Sequence, residues 1–206
     1  MDCLLDCHTH RTPPYSQGII NIEPGEPLIA TQKYSAGIHP WHVQTDLARV
    51  VGDLECMADS PEVVAVGESG LDSVCATPMW LQVKAFVAQI HIAERLQKPL
   101  IVHCVRCVQE VVQLRRELRS TVPWIIHGFR GKPALLDMLL KADCYVSFGK
   151  FFNVESLKRV PESHILAETD ESGCSIIGII EKLSEARGED LYPIIARNMS
   201  QIFVGN

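Results

Sequence analysis

Two histidines, His8 and His10, stand two residues apart at the end of the first apolar run of the chain, Cys3-Leu4-Leu5-Asp6-Cys7-His8. In an extended strand that spacing sends both imidazoles to the same side. Further along, His103 and His127 each close a continuous apolar run, and Glu68 and Asp170 close two more. Four imidazoles and two carboxylates therefore arrive from five different runs. A single histidine after a buried strand is commonly a hydrogen-bonded structural residue. His91, inside an amphipathic helical pattern, and His164, in the turn before a strand, are read that way. Six such groups left unpaired at a partly buried rim would each cost about several kcal/mol. Divalent cations remove that penalty, and nitrogen and oxygen ligands suit zinc, manganese or iron, with magnesium where carboxylates and water dominate. The expected chemistry is metal-assisted hydrolysis, with one or two divalent cations (Mg, Mn or Zn) per chain.

To bring these groups together, the chain must supply strands that end at one rim. Apolar runs at 3–8, 18–22, 34–39, 63–68, 99–103, 124–127, 144–148 and 165–170 suit strands buried on both faces. Helical periodicity covers 79–97, with Val83, Phe86, Val87, Ile90 and Ala93 on one face, then 108–118 and 133–142, the last with Pro133 near its start. Beyond Asp170, helices are expected over 176–187, ending at Gly188, and over 191–204. This alternation implies parallel strands and right-handed crossovers. Eight strands imply an α/β barrel of the TIM type, whose functional groups project from the C-terminal strand ends. The first third is irregular: the Arg11-Thr12-Pro13-Pro14 stretch and the segment from Ile22 to Tyr34 leave little room for crossover helices of a dozen or so residues. The barrel is expected to lack its early outer helices, leaving one flank thinly covered. That flank is a candidate dimer surface, although the pattern does not set the oligomeric state.

With 206 residues, 47% hydrophobic and 21% charged, the chain suits a single globular domain over 1–206. No apolar run reaches the ~20 residues of a membrane span. The first residues lack the basic start and apolar core of a signal peptide, so a cytoplasmic protein without membrane contact is expected. Most of the eight cysteines, Cys56 and Cys144 among them, read as small buried thiols. Cys104-Val105-Arg106-Cys107 is a lone CxxC without the second pair a structural zinc site needs. A net charge of −6 without a basic block excludes a broad groove for duplex nucleic acid. Arg106 and Arg130, each three residues after a strand-ending histidine, and Lys150, just past Phe148, form instead a small cationic crown. Such a crown fits a nucleic-acid end, short single-stranded DNA or a small phosphate ester. Trp41 and Phe129 lie in the same loops, where they either stack a base or pack against neighbouring loops.

Asp6-Cys7-His8-Thr9-His10, Gly37-Ile38-His39-Pro40-Trp41-His42 and Val66-Gly67-Glu68-Ser69-Gly70-Leu71-Asp72 resemble successive signatures of the TatD family. So do Pro99-Leu100-Ile101-Val102-His103, Ile126-His127-Gly128-Phe129-Arg130-Gly131 and Leu166-Ala167-Glu168-Thr169-Asp170. The resemblance implies an amidohydrolase-like TIM barrel that hydrolyses phosphodiester bonds of DNA at a divalent metal centre, often as an exonuclease. By motif match, His8 and His10 would bind one metal with Asp170, Glu68 would bridge, and His103 and His127 would hold the second. His39 and His42 would line the substrate pocket with Arg106, Arg130 and Lys150. Asp170 would also be the catalytic residue, orienting or deprotonating the attacking water and passing the proton to the leaving oxygen. The sequence departs from the family pattern in the substrate loops. Val105 stands where many members have arginine, Gly128 follows the histidine where cysteine is usual, and Asp170-Glu171-Ser172 replaces Asp-Ala-Pro. Two alternatives follow: a hydrolase of another small ester, lactone or amide, or a non-catalytic, metal-stabilised barrel. Asp170 beside an open metal position argues against the last.

Overall fold

Apolar runs without alternation must be covered on both faces, and a closed parallel barrel wrapped in helices does this. In the computed structural model, which describes residues 4–203, the strands are β1 (Asp6–Thr9), β2 (Gly18–Ile22), β3 (Lys33–Ala36), β4 (Val63–Asp72), β5 (Leu100–Val105), β6 (Trp124–Ile126), β7 (Cys144–Phe148) and β8 (Ile165–Ala167). They close in chain order into a parallel barrel, β8 pairing back onto β1. Cys3, expected to open the first strand, and Val204, expected to close the last helix, lie outside the described residues. Ile101, Ile125, Val146 and Leu166 on these strands are fully buried.

Around the strands lie α1 (Leu47–Ala58), α2 (Met79–Leu96), α3 (Val108–Glu117), α4 (Pro133–Leu140), α5 (Val154–Arg159), α6 (Ile176–Arg187) and α7 (Tyr192–Phe203). No helix lies between β1 and β2 or between β2 and β3 among the described residues, as the short connectors predict. Helices α1 and α5 are absent from the sequence expectation. The buried positions of α1, Leu47, Leu54 and Ala58, with partly buried Val50 and Val51 between them, follow the 3.6-residue period, so the sequence does carry the signal of this helix. Cys144 is buried as expected, but Cys56 is exposed. The reason is α1 itself, which turns Cys56 outward and Leu54 and Ala58 inward. No helix among the described residues is long and apolar enough to cross a membrane.

Two buried glutamines on the inner face of α2 tie the barrel wall to the rim. Gln89 accepts from the Ile38 amide (2.7 Å) and donates to the Ile38 carbonyl (3.1 Å), fixing the backbone beside His39. Gln82 accepts from the Asp72 amide (2.8 Å) and donates to the carbonyls of Asp72 (3.0 Å) and Thr77 (2.7 Å). At the other end of α2, Glu94 accepts from the Ser120 and Thr121 hydroxyls and from the amides of Thr121 and Val122. Burial pushes its carboxyl up, but these donors outweigh burial and hold it below the ordinary value of 4.5. A carboxylate depressed on folding stabilises the protein above its unfolded pKa, and that contribution is lost as pH falls through the folded one. Glu94→Gln is therefore expected to cost about 1–3 kcal/mol at pH 7 by urea denaturation, with the difference from wild type shrinking below pH 4.5. An equal difference at pH 7 and pH 3.5 would contradict this reading.

Strand β4 runs past Glu68 because glycine allows it to. Gly70, at φ +146°, pairs in register with His103, and a Cβ there would lie 2.0 Å from the His103 carbonyl oxygen. Gly70→Ala is expected to push β5 away, cost at least about 1–3 kcal/mol in denaturant titration and weaken metal binding through displaced His103. A wild-type unfolding midpoint would contradict the close approach.

Candidate metal centre and active site

The C-terminal strand ends converge on Glu68, which is only 4% exposed. His8 Nε2 (3.1 Å) and His10 Nε2 (3.5 Å) approach its Oε2. On the other side, His103 Nδ1 (2.6 Å), His127 Nε2 (2.8 Å) and His39 Nε2 (3.1 Å) approach Oε1. Five imidazoles thus share one carboxylate. Asp170 sits at the mouth, its Oδ1 3.9 Å from His8 Nε2 and 3.8 Å from His10 Nε2. Its backbone is left-handed (φ +52°), a conformation that Asp tolerates better than most residues. The Asp170 amide donates to the His8 carbonyl (3.0 Å) and its carbonyl accepts from the His10 amide (3.3 Å), which carries the β1–β8 pairing past the strand ends.

Burial pushes the Glu68 carboxyl up, but His127 and His8 and the hydrogen bonds of His10 and His103 outweigh it and hold it well below the carboxylate range. Burial likewise pushes the His127 imidazole down, and Glu68 with Glu168 holds it well above its ordinary value. Imidazole nitrogens face each other across the site, His103 Nδ1 to His127 Nε2 at 3.2 Å and His39 Nε2 to His103 Nδ1 at 3.3 Å. Fully buried His8 finds no partner of hydrogen-bond geometry for either ring nitrogen. Facing nitrogens and an orphaned ring are poor as a hydrogen-bond network and good as a ligand set. Four overlapping triads place their donor atoms within 4.8 Å of one another: His8–Glu68–His127, His8–His10–Asp170, His39–Glu68–His103 and His127–Glu168–Asp170. The donors fit divalent metal, of mixed nitrogen and oxygen preference.

Two carboxylates not singled out from the sequence stand behind the cluster. Asp72 Oδ2 lies 3.4 Å from His103 Nε2 and accepts the Trp41 indole N–H at 2.6 Å. Glu168 Oε1 lies 3.6 Å from His127 Nδ1, while its Oε2 accepts from the Ser147 hydroxyl. Carboxylates in this position orient imidazoles and raise their basicity. Even spacing to a chosen neighbour is the signal that marks them, Asp72 four after Glu68 and Glu168 two before Asp170. Asp72→Asn is expected to weaken metal affinity about 10–100-fold with little change in thermal midpoint. An unchanged affinity by calorimetric titration would remove Asp72 from this role. Elsewhere, Asn21 Oδ1 accepts from the Glu68 amide (2.6 Å) and the Ser35 hydroxyl (3.1 Å). Asp6 Oδ1 accepts from the Thr169 amide, and Oδ2 from the hydroxyls of Thr169 and Tyr15. Burial pushes the Asp6 carboxyl up to about 7 against these donors.

Of the other residues chosen from sequence, His39 belongs to the cluster itself. His42 is exposed, pairs with Glu23 and does not touch Glu68. Arg106 and Arg130 line a cleft of about 720 Å³ together with His103, His127 and Asp170. Arg130 and Lys150 line a second pocket of about 210 Å³ that also reaches Asp170. Trp41 and Phe129 both border the cleft, Trp41 exposed and Phe129 buried with its ring 6.0 Å from that of Phe148, so Phe129 packs. His91 is exposed on α2, and His164 stacks on Tyr145 and pairs with Asp143, so neither joins the rim. Burial pushes the Cys104 thiol up to about 12 and raises Cys107 as well. Protonated thiols make poor nucleophiles and ligands, in keeping with the weak reading of the CxxC.

A family model described as TatD related DNase matches residues 29–203. The 3'-5' ssDNA/RNA exonuclease TatD of Edwardsiella piscicida is 33% identical over 147 residues, 66% of this chain and 56% of that protein. The match thus spans little more than half the length of that curated relative. Among solved structures, the TatD homologue YjjV of Escherichia coli K12 superposes with a TM-score of 0.83 at 19% identity, covering 99% of both chains. A hydrolase TatD family protein from Entamoeba histolytica gives 0.78 at 14% identity, covering 100% of this chain and 99% of its own. At these identities the two structures speak for the closed barrel fold.

Proposed function

The chain belongs to the TatD-related DNase family, and from that premise we propose that it is a divalent-metal-dependent hydrolase cleaving phosphodiester bonds at the ends of short single-stranded nucleic acid. The observation that carries this reading is the five-imidazole cluster on Glu68 with Asp170 at its open mouth. His8, His10 and Asp170 would hold one cation, His103 and His127 a second, with Glu68 between them and His39 beside it. When bound, one or two cations (Mg, Mn or Zn) supply an acidified water and positive charge for the phosphoryl oxygens.

The protein's own groups do the rest. Asp170, partly open to solvent, orients the water, takes its proton and returns that proton to the leaving oxygen. Arg106 and Arg130 hold the phosphate in the cleft, and Lys150 extends the grip into the second pocket. Asp72 and Glu168 keep His103 and His127 aimed at the centre. The narrow crown on an acidic protein favours a strand end over a long duplex. The Edwardsiella relative's name suggests 3′–5′ polarity, which we extend to this chain as part of the proposal. The reading also takes residues 1–206 as one barrel domain in the cytoplasm.

A small phosphate ester is the nearest second substrate, and a neutral ester, lactone or amide is the next, since one centre activates water for several electrophiles. Parallel rates on bis(4-nitrophenyl) phosphate, 4-nitrophenyl acetate and a simple lactone separate them. Turnover of the phosphodiester alone is expected. Faster turnover of the acetate or lactone would move the assignment to the amidohydrolase reading, and metal binding without any turnover would favour a non-catalytic barrel.

A further inference from the structure

The cleft and the second pocket share Gly128, Arg130 and Asp170, so they form one trench running past the Asp170 carboxylate. Each end carries an exposed aromatic ring: Trp41, 58% exposed, on the cleft side, and Phe151, 59% exposed, on the pocket side. Charged groups line both ends, Arg106 and Glu110 among them in the cleft. At the Trp41 end the indole N–H is bound to Asp72, and His42 nearby is paired with Glu23. At the Phe151 end, Arg130 Cζ lies 5.5 Å and Lys150 Nζ 5.4 Å from the ring centroid. Lys182 adds a third cation there, donating to the Lys150 carbonyl at 3.1 Å, and the pocket lining also holds the carboxylates of Glu168, Asp170 and Glu171. An exposed ring between two cations, beside a site for phosphate chemistry, is what single-strand binding requires. The ring face accepts any base, and the cations take the flanking phosphates.

We propose that Phe151 is a stacking platform for a base of the bound strand, with Lys150 and Arg130 gripping the phosphates beside that base. The strand then runs from the mouth at Asp170 out over this end of the trench. This inference rests on the nuclease reading and adds the path of the strand to it.

Binding is measured by fluorescence anisotropy with the full chain loaded with Mg²⁺. The probes are labelled octathymidylate and dithymidylate with uncleavable phosphorothioate links. Phe151→Ala is expected to weaken octathymidylate binding about tenfold and dithymidylate binding less than about twofold, and Phe151→Trp to restore the wild-type value. Equal octathymidylate affinities for wild type and Phe151→Ala would overturn the platform. So would an equal loss on both probes, or no octathymidylate binding by wild type. Cleavage of unmodified octathymidylate is followed in parallel. A selective binding loss in Phe151→Ala without cleavage by wild type would overturn the nuclease reading and leave the platform standing.

Discussion

Asp170→Asn is expected to lower kcat on a single-stranded oligonucleotide by about a hundred- to ten-thousandfold while leaving the fold intact. Asparagine keeps the shape of the side chain and the backbone bonds to β1, so the left-handed turn survives. What it loses is the negative charge facing His8 and His10 and the capacity to hold a proton at the mouth of the cluster. The thermal midpoint of the variant is expected to stay within a few degrees of wild type, about what a loss of 1 kcal/mol gives. Steady-state kinetics beside thermal unfolding separates the two effects. A variant turning over at near wild-type rate would remove Asp170 from the chemistry.

Glu68→Gln is the second large effect, and it acts on binding first. Glu68 is the buried group on which His8, His10, His39, His103 and His127 all converge. An amide in its place keeps the volume but gives up the charge, and it directs an N–H₂ donor toward imidazole nitrogens. Breaking a buried charge pair from one side costs about 3–5 kcal/mol, equivalent to a loss of roughly a hundred- to several-thousandfold in the affinity that depends on it. Metal content after gel filtration, measured by elemental analysis, is expected to fall below half of the wild-type value, and turnover is expected to vanish with it. Wild-type metal content in this variant would refute the role of Glu68 as the shared ligand.

The rim was legible in the sequence because each proposed ligand closes an apolar run. His8 and His10 also carry strand parity, and the alternation of runs with helical periods announces the barrel that makes the run ends converge. The missing early helices were legible from connector length alone. Less visible were the groups whose role depends on a partner remote in the chain. Gln89 reads as a polar interruption on α2 until Ile38 folds against it, 51 residues away. Asp72 reads as the end of a glycine-rich strand until His103 and Trp41 arrive beside it. Cys56 differs, since its neighbours suggest burial while the period of α1, carried by the sequence, turns it outward. Phe151 has no periodic signal at all. Its place beside Arg130 and Lys150 is set by the register of β7 against β6 and β8.

The central claim, that the cluster around Glu68 is a metal centre performing phosphodiester hydrolysis, is tested most directly by titrating chelator-stripped protein with Mn²⁺. Binding is followed by calorimetry, and cleavage of an end-labelled single-stranded oligonucleotide is followed in the same samples. The account predicts no cleavage in chelator, saturable binding, cleavage that rises with occupancy, and loss of both in His8→Ala with His127→Ala. Cleavage that persists in the stripped protein, or stoichiometric binding unaffected by the double substitution, would contradict it.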